Sequence, residues 1–147
     1  MYPQWHLLSS LVVAAVSLLF NQVVPFFAVQ LFGYNVAVFV LCLLVGVFID
    51  VDHILDYRLN RSFGNVSLES NYRTGRMFVV FHGAENTVIL AALSIVFPFL
   101  IFPTVSYTCH IIIDMYGNGV SYHAYFYVAR FGRKLTRALA DIHKSTP

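Results

Sequence analysis

Four stretches of this sequence carry side chains that ligate metals or move protons. Residues 48–56 read FIDVDHILD, placing Asp50, Asp52, His53 and Asp56 directly after the apolar run AVFVLCLLVGV. His82 and Glu85 follow in FHGAEN, His110 and Asp114 in CHIIIDM, and His6 stands near the start in WHLLSS. Imidazole combined with carboxylate suits zinc, iron or manganese. Several of each could hold one ion, or two about 3.5–4 Å apart. A cation also accounts for where the acids stand, since carboxylates at the edge of an apolar run are costly unless paired, protonated or bound to metal.

Spacing sorts these residues onto helix faces. His110 and Asp114 are four apart and share a face, as do Asp52 and Asp56. Asp50 and His53 are three apart, and His82, Glu85 and Asn86 fall three and four apart. One helix cannot aim Asp50, Asp52, His53 and Asp56 at a single point, so part of that cluster orients ligands or faces outward. His123 and His143 lie among surface-like residues and read as ordinary surface histidines.

The elements that must position these groups are apolar. The chain has 147 residues, 59% of them hydrophobic and 11% charged, with a mean hydropathy of +0.71. A soluble domain carries about 25% charged residues, so the composition predicts a single all-α membrane domain over 1–147. A span needs about 20 mainly apolar residues. Four are expected, at about 7–32, 36–54, 77–97 and 104–116. GYN at 33–35 and PFLIFP at 98–103 read as tight turns, and GNG at 117–119 as a helix stop. A basic tail, 121–147, reads as an amphipathic surface helix or as a cytoplasmic extension of the fourth span, with the aromatics of SYHAYFYVARF as interfacial anchors. The first apolar segment lacks a basic start and a small-residue cleavage site, so it reads as a retained span. Cys42 and Cys109 lie in apolar runs and read as buried small side chains.

Orientation follows from the basic residues. Arg58, Arg61, Arg73 and Arg76 occupy one loop, and Arg130, Arg133, Lys134, Arg137 and Lys144 the tail, while the other two turns have none. Loop, tail and both termini are therefore expected on the cytoplasmic side of the cell's inner membrane. Every span then contributes a ligand-type residue near the same leaflet, and the outer half carries no ionisable group.

In order and type, the four motifs resemble the small membrane-bound metal-dependent hydrolases of the YdjM/YbcI type, described as LexA-binding inner-membrane-associated hydrolases. WHLLSS resembles the family's early histidine, FIDVDH its Asp-x-Asp-His signature, FHGAEN its histidine-glycine segment, and CHIIIDM its His-x-x-x-Asp on the last core helix. The likeness covers roughly residues 6–118. It departs at one point: the family's histidine-glycine segment often has two histidines, whereas here His82 is alone, followed by Glu85 and Asn86.

The combined expectation is a hydrolase using one or two divalent ions, zinc first and manganese or iron as alternatives. Asp52, His53, His82, His110 and Asp114 would be ligands. Asp50 and His6 would be ligands or would orient the imidazoles. Glu85 or Asp56 would move the proton. The depth of the site suggests a phosphoester of a lipid or lipid-linked substrate, with membrane lipid and no nucleic acid as partners. Two other readings use the same residues: a metal-binding or transport protein without hydrolytic activity, and a buried ion-pair network that is purely structural.

Overall fold

The computed structural model describes residues 3–23, 36–52, 80–117, 122–129 and 132, and they form helices and short connections with no strand among them. His53, Asp56, His143, the arginine-bearing loop and the tail beyond 132 lie outside the described residues. Among the described residues four α-helices carry the architecture: α1 (Pro3–Val23), α2 (Ala37–Val47), α3 (Ala84–Val96) and α4 (Ile101–Gly117). Helices α1, α2 and α4 pack on one another, and α3 packs on α4.

Helix α1 is polar or small on its buried face and apolar outside. On α1 the buried face is His6, Ser10, Ala14 and Ser17, which recur at four, four and three residues and so form one stripe. Its exposed face carries Trp5, Leu8, Val12, Val16 and Leu19. Two cores fill the interior. Ala14, Val38 and Cys42 pack under Phe99 and Phe102. Ile49, Tyr107, Ile111 and Tyr125 pack with Val45, Leu90 and Met115. Both cysteines are free thiols, Cys42 buried and Cys109 half-buried.

Gly46 is what lets three helices meet. A Cβ there would collide with the side chains of Ser10 on α1 and Ser106 on α4. The absence of a side chain brings those backbones close, and the Ser106 hydroxyl uses that proximity to donate to the Cys42 carbonyl at 2.8 Å.

Three local readings of the sequence are corrected. PFLIFP is not a turn between spans: Pro98–Leu100 forms a 3₁₀ turn that runs into α4. Pro98 ends α3, because the residue before a proline is pushed out of helical geometry, and Phe97 has φ −121° and ψ 82°. Pro103 sits in the first turn of α4, where no intrahelical partner for its nitrogen is needed. The third helix starts at Ala84, later than expected, because Gly83 is extended at φ −93° and ψ 127°. His82 therefore precedes the helix, and the expected shared face with Glu85 and Asn86 does not form. Tyr125 is not an interfacial anchor but is buried in the core beside Ile49 and Tyr107.

Among the described residues one stretch, Pro98–Gly117, is long and apolar enough to cross a membrane. Gln4–Phe20, Ala37–Asp50 and Ala84–Val96 are apolar but shorter.

Candidate metal centre

The site forms where the end of α2, the segment before α3 and the second half of α4 converge. At Phe48–Asp50 the α2 backbone tightens into a 3₁₀ turn, and Asp50 and Asp52 leave it on opposite sides of one ring. Asp50 Oδ1 lies 3.2 Å from His82 Nε2, and Asp52 Oδ1 lies 2.9 Å from His82 Nδ1. The two acids of the Asp-x-Asp pair thus bracket the imidazole of His82. Asp52 is fixed in turn by the Phe81 N–H, which donates to its Oδ2 at 2.7 Å.

The segment carrying His82 is tied down from above and behind. The Tyr107 hydroxyl, one turn before His110 on α4, lies 2.7 Å from both the Phe81 and Gly83 carbonyl oxygens. The Asn86 amide donates to the Tyr127 hydroxyl at 2.8 Å, and a Cβ at Gly83 would collide with the Tyr127 ring. These ties set the position of a residue that no helix holds.

His110 is oriented by backbone. Its Nδ1 lies 2.8 Å from the Gly46 carbonyl oxygen. A carbonyl only accepts, so Nδ1 carries the proton, and a neutral ring held this way presents its Nε2 lone pair to the site. That Nε2 faces His82 Nε2 at 3.2 Å. Asp114, one turn further along α4, places Oδ2 3.3 Å from His82 Nε2 and 3.5 Å from His110 Nε2. His6 stands behind Asp114, with Nε2 3.1 Å from Oδ1, and its ring lies against His110 with centroids 4.0 Å apart.

Four atoms converge: Asp50 Oδ1, His82 Nε2, His110 Nε2 and Asp114 Oδ2. The five separations 3.2, 3.2, 3.3, 3.5 and 3.5 Å describe all their pairs except the two carboxylates, which lie within 4.8 Å. A tetrahedral site with bonds of about 2.0–2.2 Å has ligand-to-ligand edges of roughly 3.3–3.6 Å. The four residues could hold a metal ion. Donor chemistry agrees. Neither oxygen of Asp114, which is 1% exposed, makes a hydrogen bond of good geometry, an expensive state for a buried carboxylate unless a cation stands nearby. The chain matches no protein-family profile, no curated protein and no solved structure.

The structure thus brings His6, Asp50, Asp52, His82, His110 and Asp114 to one place. Asp52 and His6 contact the converging residues from outside the group of four. His53 and Asp56 lie outside the described residues. Glu85 is directed elsewhere: its Oε1 accepts the Val128 N–H at 3.3 Å, and its Oε2 has no hydrogen bond. The approach to the group is from Asp50, whose side chain is 26% exposed against 0–3% for the other three. The Gly46 carbonyl and the Phe81 N–H were not legible in the sequence, since a backbone group has no residue type. Tyr107 did leave a signal, being three residues before His110 and so on its face.

Proposed function

We propose that this chain is a membrane-embedded, metal-dependent hydrolase of the YdjM/YbcI type, acting on a phosphoester of a lipid or lipid-linked substrate at the cytoplasmic leaflet of the inner membrane. The observation that carries the reading is the convergence of Asp50, His82, His110 and Asp114, with Asp52 and the Gly46 carbonyl standing at the far nitrogens of the two imidazoles. Zinc suits two nitrogens and two oxygens in that geometry, and manganese or iron accept the same donors. The apolar exposed surface supports the membrane: α1 and α3 expose Leu8, Val12, Val16, Val88, Ile89 and Ile95, which four apolar spans would turn toward lipid.

A divalent ion in this group would polarise a phosphoryl oxygen and acidify water at neutral pH. The chain supplies the rest. Asp52 and the Gly46 carbonyl fix the ring orientations, so that both Nε2 atoms stay aimed inward. Asp50 marks the open side through which a headgroup arrives. Hydrolysis joins a water oxygen to phosphorus, breaks the bond from phosphorus to the leaving oxygen, and delivers a proton to that oxygen. Glu85 and Asp56 are the candidates the sequence offers to take the proton from water; Glu85 would have to turn from the Val128 N–H toward the site to do so.

The test is release of phosphate or phosphorylated headgroup by zinc-, manganese- or iron-loaded protein from a panel of lipid phosphoesters in detergent. Activity that disappears in both His110→Ala and Asp114→Ala supports the reading. A fully metallated protein that hydrolyses nothing in the panel would leave a metal-binding protein without this activity.

A further inference from the structure

A cavity of about 460 Å³ opens between α2, α3 and α4. Leu44, Val45 and Phe48 line it from the end of α2, Ile89 and Leu90 from α3, and Tyr107 from α4. Two of its lining residues adjoin site residues along the chain. Ile49 lines the cavity and the next residue is Asp50; Phe81 lines it and the next residue is His82. Its size falls in the range of small-ligand sites.

The wall offers an occupant almost nothing but apolar contact. Its polar side chains are Asn86 and Tyr107. Asn86 directs its amide donors at the Val80 carbonyl and the Tyr127 hydroxyl, 3.2 and 2.8 Å away. Tyr107 turns its hydroxyl toward the Phe81 and Gly83 carbonyls. The rim is apolar as well: Phe48, Phe81 and Ile89 are each more than half exposed. An apolar slot whose lining residues Ile49 and Phe81 directly precede a carboxylate and an imidazole of the site is complementary to an amphiphile.

We propose that this cavity receives one acyl chain of the lipid substrate and so places the hydrolysed bond, at the chain's polar end, beside Asp50 and His82. The proposal rests on the hydrolase reading and adds the part of the substrate that is recognised. At about 30 Å³ per water-sized group, the volume admits roughly fifteen such groups, the scale of one acyl chain and far short of a long polyisoprenoid. Because bilayer hydrocarbon is as apolar as the slot, moving a chain into it gains little affinity. What the slot supplies is register: a chain seated at a fixed depth holds its headgroup at a fixed height, a gain in orientation. Leu90 and Leu44 are then the residues that set chain length.

The experiment uses zinc-loaded full chain in phosphatidylcholine vesicles doped with a phosphatidic acid bearing a diazirine near the middle of one acyl chain. Photolysis and peptide mapping read where the chain lies. Adducts concentrated at least fivefold on Leu44, Phe48, Ile89 and Leu90 over the exposed α1 residues Leu8, Val12 and Val16 are the expected result. Excess short-chain phosphatidic acid should compete, and glycerol phosphate should not. Equal labelling of the cavity and α1, or competition by a polyprenyl phosphate in preference to the acyl lipid, overturns the proposal. Leu90→Trp, and independently the rim variant Leu44→Trp, should lose cavity adducts at unchanged metal content and shift hydrolysis toward shorter chains. Unchanged chain-length preference in whichever variants fold also overturns it. Cavity labelling in a protein that hydrolyses no lipid sinks the hydrolase reading while leaving the acyl site standing.

Discussion

His110 and Gly46 are 64 residues apart in sequence, and the ring Nδ1 of one lies 2.8 Å from the carbonyl oxygen of the other. The contact exists because Gly46 has no side chain. Its bareness lets α2 approach α4 and α1, and the carbonyl then fixes which nitrogen of His110 faces the metal group. Packing and chemistry therefore meet at one glycine. Gly46→Ala should collide with Ser10 and Ser106 and destabilise the fold by about 1–3 kcal/mol, the usual range for overpacking. Thermal unfolding in detergent reads the loss, and metal affinity should fall with it. An alanine variant as stable and as well metallated as the parent would contradict the close-approach account.

Ligands and the residues behind them should separate by titration. His110→Ala and Asp114→Ala each remove one of four donors and should abolish stoichiometric metal in the purified protein. Asp52→Asn keeps the four donors but weakens the hold on His82 Nδ1, and should bind metal about 10–100-fold more weakly, as is typical when an outer partner is lost. Equal effects of all three substitutions would refute the division of roles.

Metal content should also depend on acidity. The converging atoms are two imidazole nitrogens and two carboxylate oxygens, and protons compete with a cation for each. Occupancy should fall as pH is lowered and return when it is raised again. The measurement is bound zinc after equilibrium dialysis across pH 5 to 8. Occupancy that rises with acidity would place the metal elsewhere.

Glu85→Gln should keep the metal and slow hydrolysis about 10²-fold or more, within the range that a positioned proton acceptor contributes. Glutamine can still accept the Val128 N–H that Glu85 Oε1 accepts, so the local structure should persist. Hydrolysis at the parent rate would remove Glu85 from the mechanism and leave Asp56 as the candidate.

How much of this was legible beforehand depends on what kind of group carries the information. His110 and Asp114 were readable because four residues of α-helix put both on one face, and α4 is regular there. Asp50 and Asp52 were readable as a pair but not as a bracket. Two residues on a helix point to opposite sides, and only the arrival of His82 between them makes use of that. The apolar run predicts a third helix from about Met77 with His82 inside it, whereas the extended backbone of Gly83 delays the helix to Ala84. The aromatics of SYHAYFYVARF read as interfacial anchors, but Tyr125 is buried while Phe126 and Val128 are exposed. Its burial depends on Ile49 and Tyr107, which are distant in sequence.

The proposed topology has its own check. An Asn65→Cys variant, in a Cys109→Ser background, should react with an impermeant thiol reagent only from the cytoplasmic face of sealed vesicles. Labelling from the opposite face would overturn the orientation and the cytoplasmic placement of the site.

The central claim is that four donors from three parts of the chain surround one cation. X-ray absorption at the zinc edge of the zinc-loaded protein tests it most directly. The account predicts about one zinc per chain, four nitrogen or oxygen neighbours at about 2.0–2.1 Å, and outer-shell scattering from two imidazoles, with the two-imidazole signature lost in His110→Ala. Sulfur in the inner shell, a six-oxygen shell without imidazole, or no stoichiometric zinc would contradict it.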